Sequence, residues 1–215
     1  MSQIETTLKK AEDMLETARC GFEDLAATNK SRRIIGLRNL IVFGRTVTFV
    51  LQNLRSEMAE GEFDKWYAPK QEEMKKDAVM KHFVKLRNEL EKQGNLPVST
   101  SVQMNGFSFS DIDKYKKPPG TVGFFIGDQF GGSGFEVEMA DGSKEKYYVD
   151  LPEDKVKVTQ HFSNFPDHIE NMTIEEASDY YLGKLSKLVA AARDYFIGST
   201  TKKPLKRRAH LRVVK

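Results

Sequence analysis

Apolar residues recur at alternating spacings of four and three at the start of the chain: Ile4, Leu8, Ala11, Leu15, Ala18, Phe22 and Leu25. Charged residues fill the intervals, so the segment reads as an amphipathic helix of about six turns. Thr28-Asn29-Lys30-Ser31 interrupts the period, and Ser31 is predicted to cap a second helix carrying Ile34, Leu37, Ile41, Val47, Leu51, Leu54 and Met58. A glycine inside a helix costs about 1 kcal/mol relative to alanine. Gly36 and Gly44 therefore predict that a neighbouring backbone or aromatic ring lies against this helix. Gly61 ends it, and Phe63 to Pro69, with the only tryptophan, Trp66, reads as an aromatic connector. A third helix is predicted from about Gln71 to Lys92, with a stripe of Val79, Phe83, Leu86 and Leu90, closed by Gly94 and Pro97.

From Val98 to Phe162 the period changes to alternating and β-branched segments with glycine punctuation. Phe135, Val137 and Met139 alternate with Glu136 and Glu138, Asp141-Gly142 supplies a tight turn, and Lys144 to Leu151 returns as the partner strand. Thr121 to Ile126, Lys155 to Phe162 and Val98 to Met104 are predicted as further strands. Helical spacing resumes after Pro166, where Thr173 caps a run with Ile174, Ala177, Tyr181, Leu185, Leu188, Ala192 and Phe196 on one face, ended by Gly198. The predicted class is α+β: a bundle of about four long helices (1–94 and 172–198) with an antiparallel β module (95–171) inserted before the last helix and packed on the bundle, then a tail (199–215).

Composition narrows the picture. The 215 residues are enough for a core without metal or disulfide staples. The single cysteine, Cys20, cannot form an internal disulfide, which suits a reducing compartment. Ser2-Gln3-Ile4-Glu5 lacks the basic start and apolar core of a signal peptide, so the chain reads as cytoplasmic. The most apolar stretch, Ile34 to Leu54, carries Arg38, Arg45 and Gln52 and reads as a buried core helix, with no membrane association. The net charge of +3 hides an asymmetry: Lys202, Lys203, Lys206, Arg207, Arg208, Arg212 and Lys215 stand in the tail with no acid, leaving 27 basic and 31 acidic residues elsewhere. Such a run attracts phosphate backbones by counterion release, or is simply a solvated terminus.

Two polar features interrupt the apolar helices. Leu86-Arg87-Asn88-Glu89 sets a guanidinium and an amide beside the third helix's stripe, where arginine's fork of donors suits a phosphate or carboxylate or an acid elsewhere in the bundle. On the second helix, Arg38-Asn39, Arg45-Thr46 and Gln52-Asn53 follow at intervals of seven, which is two turns. Buried polar groups need hydrogen-bond partners. The stripe therefore joins an interhelical network with Arg87 and Asn88, or lines an anion cleft or a dimer interface.

The helical layout, with Leu86-Arg87-Asn88-Glu89 near the end of a long helix, resembles the HEPN superfamily of prokaryotic toxins, defence systems and RNA-processing enzymes. Many members have an arginine, usually followed by a polar residue, and a histidine four to six residues further on. In active members these residues of two protomers form a metal-independent ribonuclease site at the dimer interface. Here the corresponding positions are Lys92, Gln93 and Gly94. Neither lysine nor glutamine replaces an imidazole titrating near neutrality. The resemblance thus implies a non-enzymatic, homodimeric helical scaffold or binding protein associated with nucleic acid or defence. The alternative is a ribonuclease with an atypical site, Arg87 holding the phosphate and Lys92 or His82 assisting.

Other chemistries lack an anchor. Gly127 to Gly134 is glycine-rich but has no P-loop lysine and opens no helix, so it is predicted as a loop between strands. His161 and His168 have no third ligand at recognisable spacing, the helices lack Glu-x-x-His pairs, and no serine sits in a nucleophile elbow. No metal or cofactor is implied. Phe124, Phe125, Tyr147 and Tyr148, with Lys144 and Lys146 nearby, could stack on bases or engage a protein partner.

Overall fold

A computed structural model describes residues 2–27, 30–166, 169 and 171–198. In chain order these form α1 (Gln3–Ala26), α2 (Lys30–Gln52), a 3-10 turn (Asn53–Glu57), α3 (Glu62–Lys76), α4 (Ala78–Gln93), β1 (Val98–Met104), a single-turn α5 (Phe109–Ile112), β2 (Thr121–Phe125), β3 (Ser133–Glu138), β4 (Lys144–Val149), β5 (Val156–Phe162) and α6 (Ile174–Phe196). The α+β class and the order of helices, strands and final helix follow the sequence pattern.

The first pair of helices is set by its glycines. A Cβ on Gly36 would lie 2.5 Å from the Gly21 carbonyl oxygen and 2.7 Å from the Leu25 nitrogen, so α1 and α2 cross backbone to backbone there. Two turns further, even a methyl group is excluded at Gly44, where the Tyr181 ring of α6 lies on α2. Both close approaches are of the kind the two helical glycines predict. Because α2 begins at Lys30, Ser31 lies inside its first turn and not at the cap. Arg32–Glu57 is long and apolar enough to cross a membrane by length and composition. In the fold it is the central element of the bundle, with Leu37, Leu40, Ile41, Val47, Leu51 and Leu54 fully buried.

The region after Gly61 differs from expectation. Phe63 to Pro69 is the first half of α3 and not a connector, and the single helix expected over Gln71–Lys92 is two helices parted at Asp77. Phe63, Trp66 and Tyr67 stand at i, i+3 and i+4, so a helix buries them on one face. They join α6 in an aromatic cluster, with Phe63 and Tyr67 rings 5.0 Å apart and Trp66 edge-on to Phe196 at 4.9 Å. That burial outweighs the backbone bond forfeited at Pro69. Asp77 serves both helices: its N–H closes α3 on Glu73, and its carboxylate caps α4 by accepting from the Met80 N–H at 3.1 Å.

The β module holds two antiparallel sheets where one was expected, β1-β5 and β2-β3-β4. Phe135 pairs with Tyr147 across the hairpin closed by Asp141-Gly142, and Val98 pairs with Phe162 at the end of the other sheet. The glycine-rich loop joins β2 to β3 and bridges the two sheets. Asp128 Oδ1 accepts from the Phe130 and Gly132 N–H groups, which curls the chain, and the Asp128 carbonyl accepts from Thr100 Oγ1 of β1 at 3.0 Å. At the other end, α5 carries an Asp111 buried between Lys114 and Lys155.

Phe162 and Phe165 carry the module into the bundle core, edge-on to Phe83 and His82 respectively. Beside them the buried Arg33 of α2 donates to the Leu25 carbonyl of α1, to Gln160 of β5 and to Glu175 of α6, tying four elements together.

Candidate functional site

The walls of α2, α3, α4 and α6 enclose a cleft of about 550 Å³. Each helix contributes through its own period. Arg45, Thr48 and Gln52 stand at i, i+3 and i+7 on α2, which puts them on one face. Tyr67, Gln71 and Lys75 stand at i, i+4 and i+8 on α3, and Lys81 and Lys85 stand at i, i+4 on α4. Tyr181 of α6 closes the floor, with Met74, Met80 and Val84 supplying apolar wall.

Four cations and no acid line the cleft among the described residues. Lys75 is also paired with Glu72 on its own helix at 2.7 Å. The cleft turns the α3–α4 corner into a second hollow of about 490 Å³, which shares Lys75, Lys81 and Lys85 and adds Lys76. The corner is therefore a lysine cluster that attracts anions.

Arg45 is held from two sides. Its guanidinium lies 4.4 Å from the centre of the Phe49 ring, and Nη1 donates to Thr48 Oγ1 at 2.7 Å. Burial pushes the Tyr67 and Tyr181 hydroxyls above the ordinary phenol range, while the charge of Arg45 pulls against that in both. Tyr181 stacks on Phe83 at 4.1 Å, nearly parallel.

The residues singled out from the sequence fall into separate places. Arg38 is exposed and donates weakly to the Gly94 carbonyl at 3.4 Å, while half-buried Asn39 turns toward Gly21 of α1. Gln52 donates to the Thr48 carbonyl and Thr46 back-bonds to Val42. The stripe is thus divided among the α4 terminus, the α1 crossing and the cleft. Arg87 pairs with Glu91 at 2.7 Å, reaches Asn88 at 3.3 Å, and lies 5.6 Å from the same Phe49 ring that carries Arg45. The two features meet through an aromatic ring and not through hydrogen bonds.

His82 and Lys92 are not brought to Arg87. His82 is 3% exposed against Phe162 and Phe165, its Nε2 lacks a partner among the described residues, and burial, with Lys85 adding to it, lowers its pKa to about 4. Five residues along a helix turn a side chain roughly 140° away, which sets His82 toward the β module and Arg87 toward Phe49. Lys92 is exposed on the last turn of α4. On the sheet, Lys146 and Tyr148 both bind Asp128 at 2.8 Å, and Tyr147 is exposed. His161 lies within 3.1 Å of both the Met172 carbonyl and Thr159 Oγ1, and no group of three or more His, Cys, Asp or Glu is placed to hold a metal among the described residues. His168 and the basic tail, Lys202 to Lys215, lie outside the described residues.

Sequence reasoning missed Tyr67, Gln71, Lys75, Lys81, Lys85 and Tyr181. Treating Phe63–Pro69 as a connector hid the α3 face, and Tyr181 was counted as core. A helix continued through Pro69 would have aligned Tyr67, Gln71 and Lys75.

Residues 32–113, less than half of the chain, match the family model described as bacteriophage lambda protein ea47. The match spans the α2, α3 and α4 walls of the cleft and stops before Tyr181. No curated protein and no solved structure matches the chain.

Proposed function

We propose that the protein is a non-enzymatic, HEPN-like binding protein that takes an anionic ligand of the nucleic-acid class in the cleft between α2, α3, α4 and α6, and that it acts as a cytoplasmic homodimer. The observation that carries this is a ligand-sized cleft lined, among the described residues, by Arg45, Lys75, Lys81 and Lys85 without an acid. The lysine corner extends the positive surface beyond the cleft, as a phosphate backbone requires. The match to a bacteriophage family model favours a phage-associated role. The ribonuclease alternative, with Lys92 or His82 assisting Arg87, has less support, since His82 is buried and neutral on another face of α4 and Lys92 is exposed on the last turn, five residues from Arg87.

Fluorescence anisotropy with a labelled single-stranded RNA tests the reading. Four phosphate contacts predict a loss of roughly fifty-fold in affinity between 50 and 200 mM salt. The combined Lys75→Ala, Lys81→Ala and Lys85→Ala variant should bind weakly at all salt concentrations, while light scattering of either protein should give twice the chain mass. Salt-insensitive binding, or none, removes the nucleic-acid reading; a monomer removes the dimer.

A further inference from the structure

We propose that the floor of the cleft is a receptor for a terminal phosphate monoester, held by the Arg45 guanidinium together with the Tyr67 and Tyr181 hydroxyls. The inference rests on the anionic-ligand reading of the cleft and names the group that ligand presents.

Two phenols from different helices converge here in an unusual state. Tyr67 is 3% and Tyr181 2% exposed, yet neither hydroxyl has a hydrogen-bond partner among the described residues. A polar group on a buried side chain is almost always paired, with protein or with what fills the adjoining space. Neither hydroxyl is sealed away: among the described residues the fully enclosed side-chain atoms without partners are Arg33 Nε, Glu57 Oε2, His82 Nε2 and Ser178 Oγ. Both tyrosines line the cleft, so what exposure they keep is toward it. Phenylalanine would fill the same space without leaving a donor unpaired, so packing alone does not account for the two hydroxyls.

Gly44 places one of them. A Cβ at that position would lie 2.5 Å from Tyr181 Cε1 and 3.3 Å from its hydroxyl oxygen, so the bare backbone seats the phenol tip one residue from Arg45. The Arg45 guanidinium lies over the Phe49 ring and spends one donor on Thr48, and the rest of its five-donor fork has no partner among the described residues. Arg45, Tyr67 and Tyr181 line the same cleft from three helices.

A guanidinium edge and two hydroxyls match the three terminal oxygens of a phosphate monoester; a carboxylate or an internal phosphodiester offers only two. Lys81 and Lys85 then stand where a second phosphate or the next nucleotide would lie. The monoester could belong to a free nucleotide or to the end of a strand.

The full chain is titrated with two RNA oligonucleotides of one sequence, one 5′-phosphorylated and one 5′-hydroxyl, each labelled at the 3′ end, and with adenosine 5′-monophosphate as competitor. The phosphorylated strand should bind about tenfold more tightly. In the Tyr67→Phe, Tyr181→Phe double variant the preference should vanish, the two strands binding alike, while the melting temperature stays as it was. Competition by the mononucleotide at similar concentration supports the receptor and assigns it to free nucleotides; a preference for the strand alone supports it and assigns it to strand ends. Equal, salt-dependent binding of both strands to the unmodified protein overturns the receptor and leaves the anion-binding reading intact. A preference that survives loss of both hydroxyls overturns the assignment to this floor. Absence of all binding overturns both.

Discussion

The bundle and the β module are held by different forces. In the bundle, Leu8, Leu25, Leu37, Leu40, Ile41 and Leu51 are fully buried around the central α2, and stability comes from apolar area removed from water. The β module buries few apolar side chains, chiefly Phe135, Val156 and Phe162, and leaves Val102, Met104, Phe109, Val122, Met139 and Tyr147 exposed. Its loops are organised by two buried carboxylates, Asp111 and Asp128. The difference is one of thickness: two separate small sheets cannot cover one another as four helices do, so charged hydrogen bonds replace some of the missing core.

The largest break in this comparison should come from Phe83. Its ring lies between Tyr181 of the bundle and Phe162 of β5, fully buried. Phe83→Ala should cost about 3–5 kcal/mol in urea unfolding, and should also loosen Tyr181 over the cleft. A loss below about 1 kcal/mol would mean that the site collapses freely and is not the keystone of the core.

Acid should act next, at the seam itself. His82 is enclosed by Phe162 and Phe165 and takes up its proton only near pH 4, against 6.5 for the ordinary group. Between those values the unfolded chain binds more protons than the folded one. The contribution is therefore complete above pH 6.5 and is lost as the pH falls toward 4, a difference of about 2–3 kcal/mol by pH 4.5. His82→Leu should remove that part of the acid limb, gaining at pH 4.5 relative to the parent far more than at pH 7.5. Parallel stability profiles for the two proteins would show that the imidazole charges without opening the seam.

What the sequence shows of these regions follows from the range of the forces. The 3.6-residue period of α1, α2 and α6 reports burial directly, and Gly36 and Gly44 report close contacts because a bare backbone inside a helix has few other uses. All five strands are legible by alternation and punctuation. The division into two sheets is not, because it depends on Asp128 meeting Thr100 of β1 and Lys146 and Tyr148 of β4 across 18 to 28 residues. The helix break at Asp77 carries no glycine or proline, and α3 is masked by Pro69. The candidate site is half legible: Arg45 and Gln52 stand out as polar residues in an apolar helix, whereas Tyr67 and Tyr181 look like core and become a site only when three helices set them around the same cleft as Arg45.

Asp128 gives the smallest effect on the whole molecule and the most selective one. Burial works against its carboxylate, yet Lys146, the Gly132 N–H, the Tyr148 hydroxyl and the Phe130 N–H together hold it below the usual carboxyl range. Asp128→Asn keeps the shape and can keep the two loop N–H bonds through the amide oxygen. It sets an NH2 against Lys146 and Tyr148, which both donate to Oδ2 in the parent. The expected cost is about 2 kcal/mol, confined to the hub. Amide exchange should quicken over residues 127–134 and in β4, and the slow amides of α1, α2 and α6 should keep their protection. Were protection to fall equally in the helices, the two regions would open as one unit and the carboxylate hub would be part of the bundle's own stability.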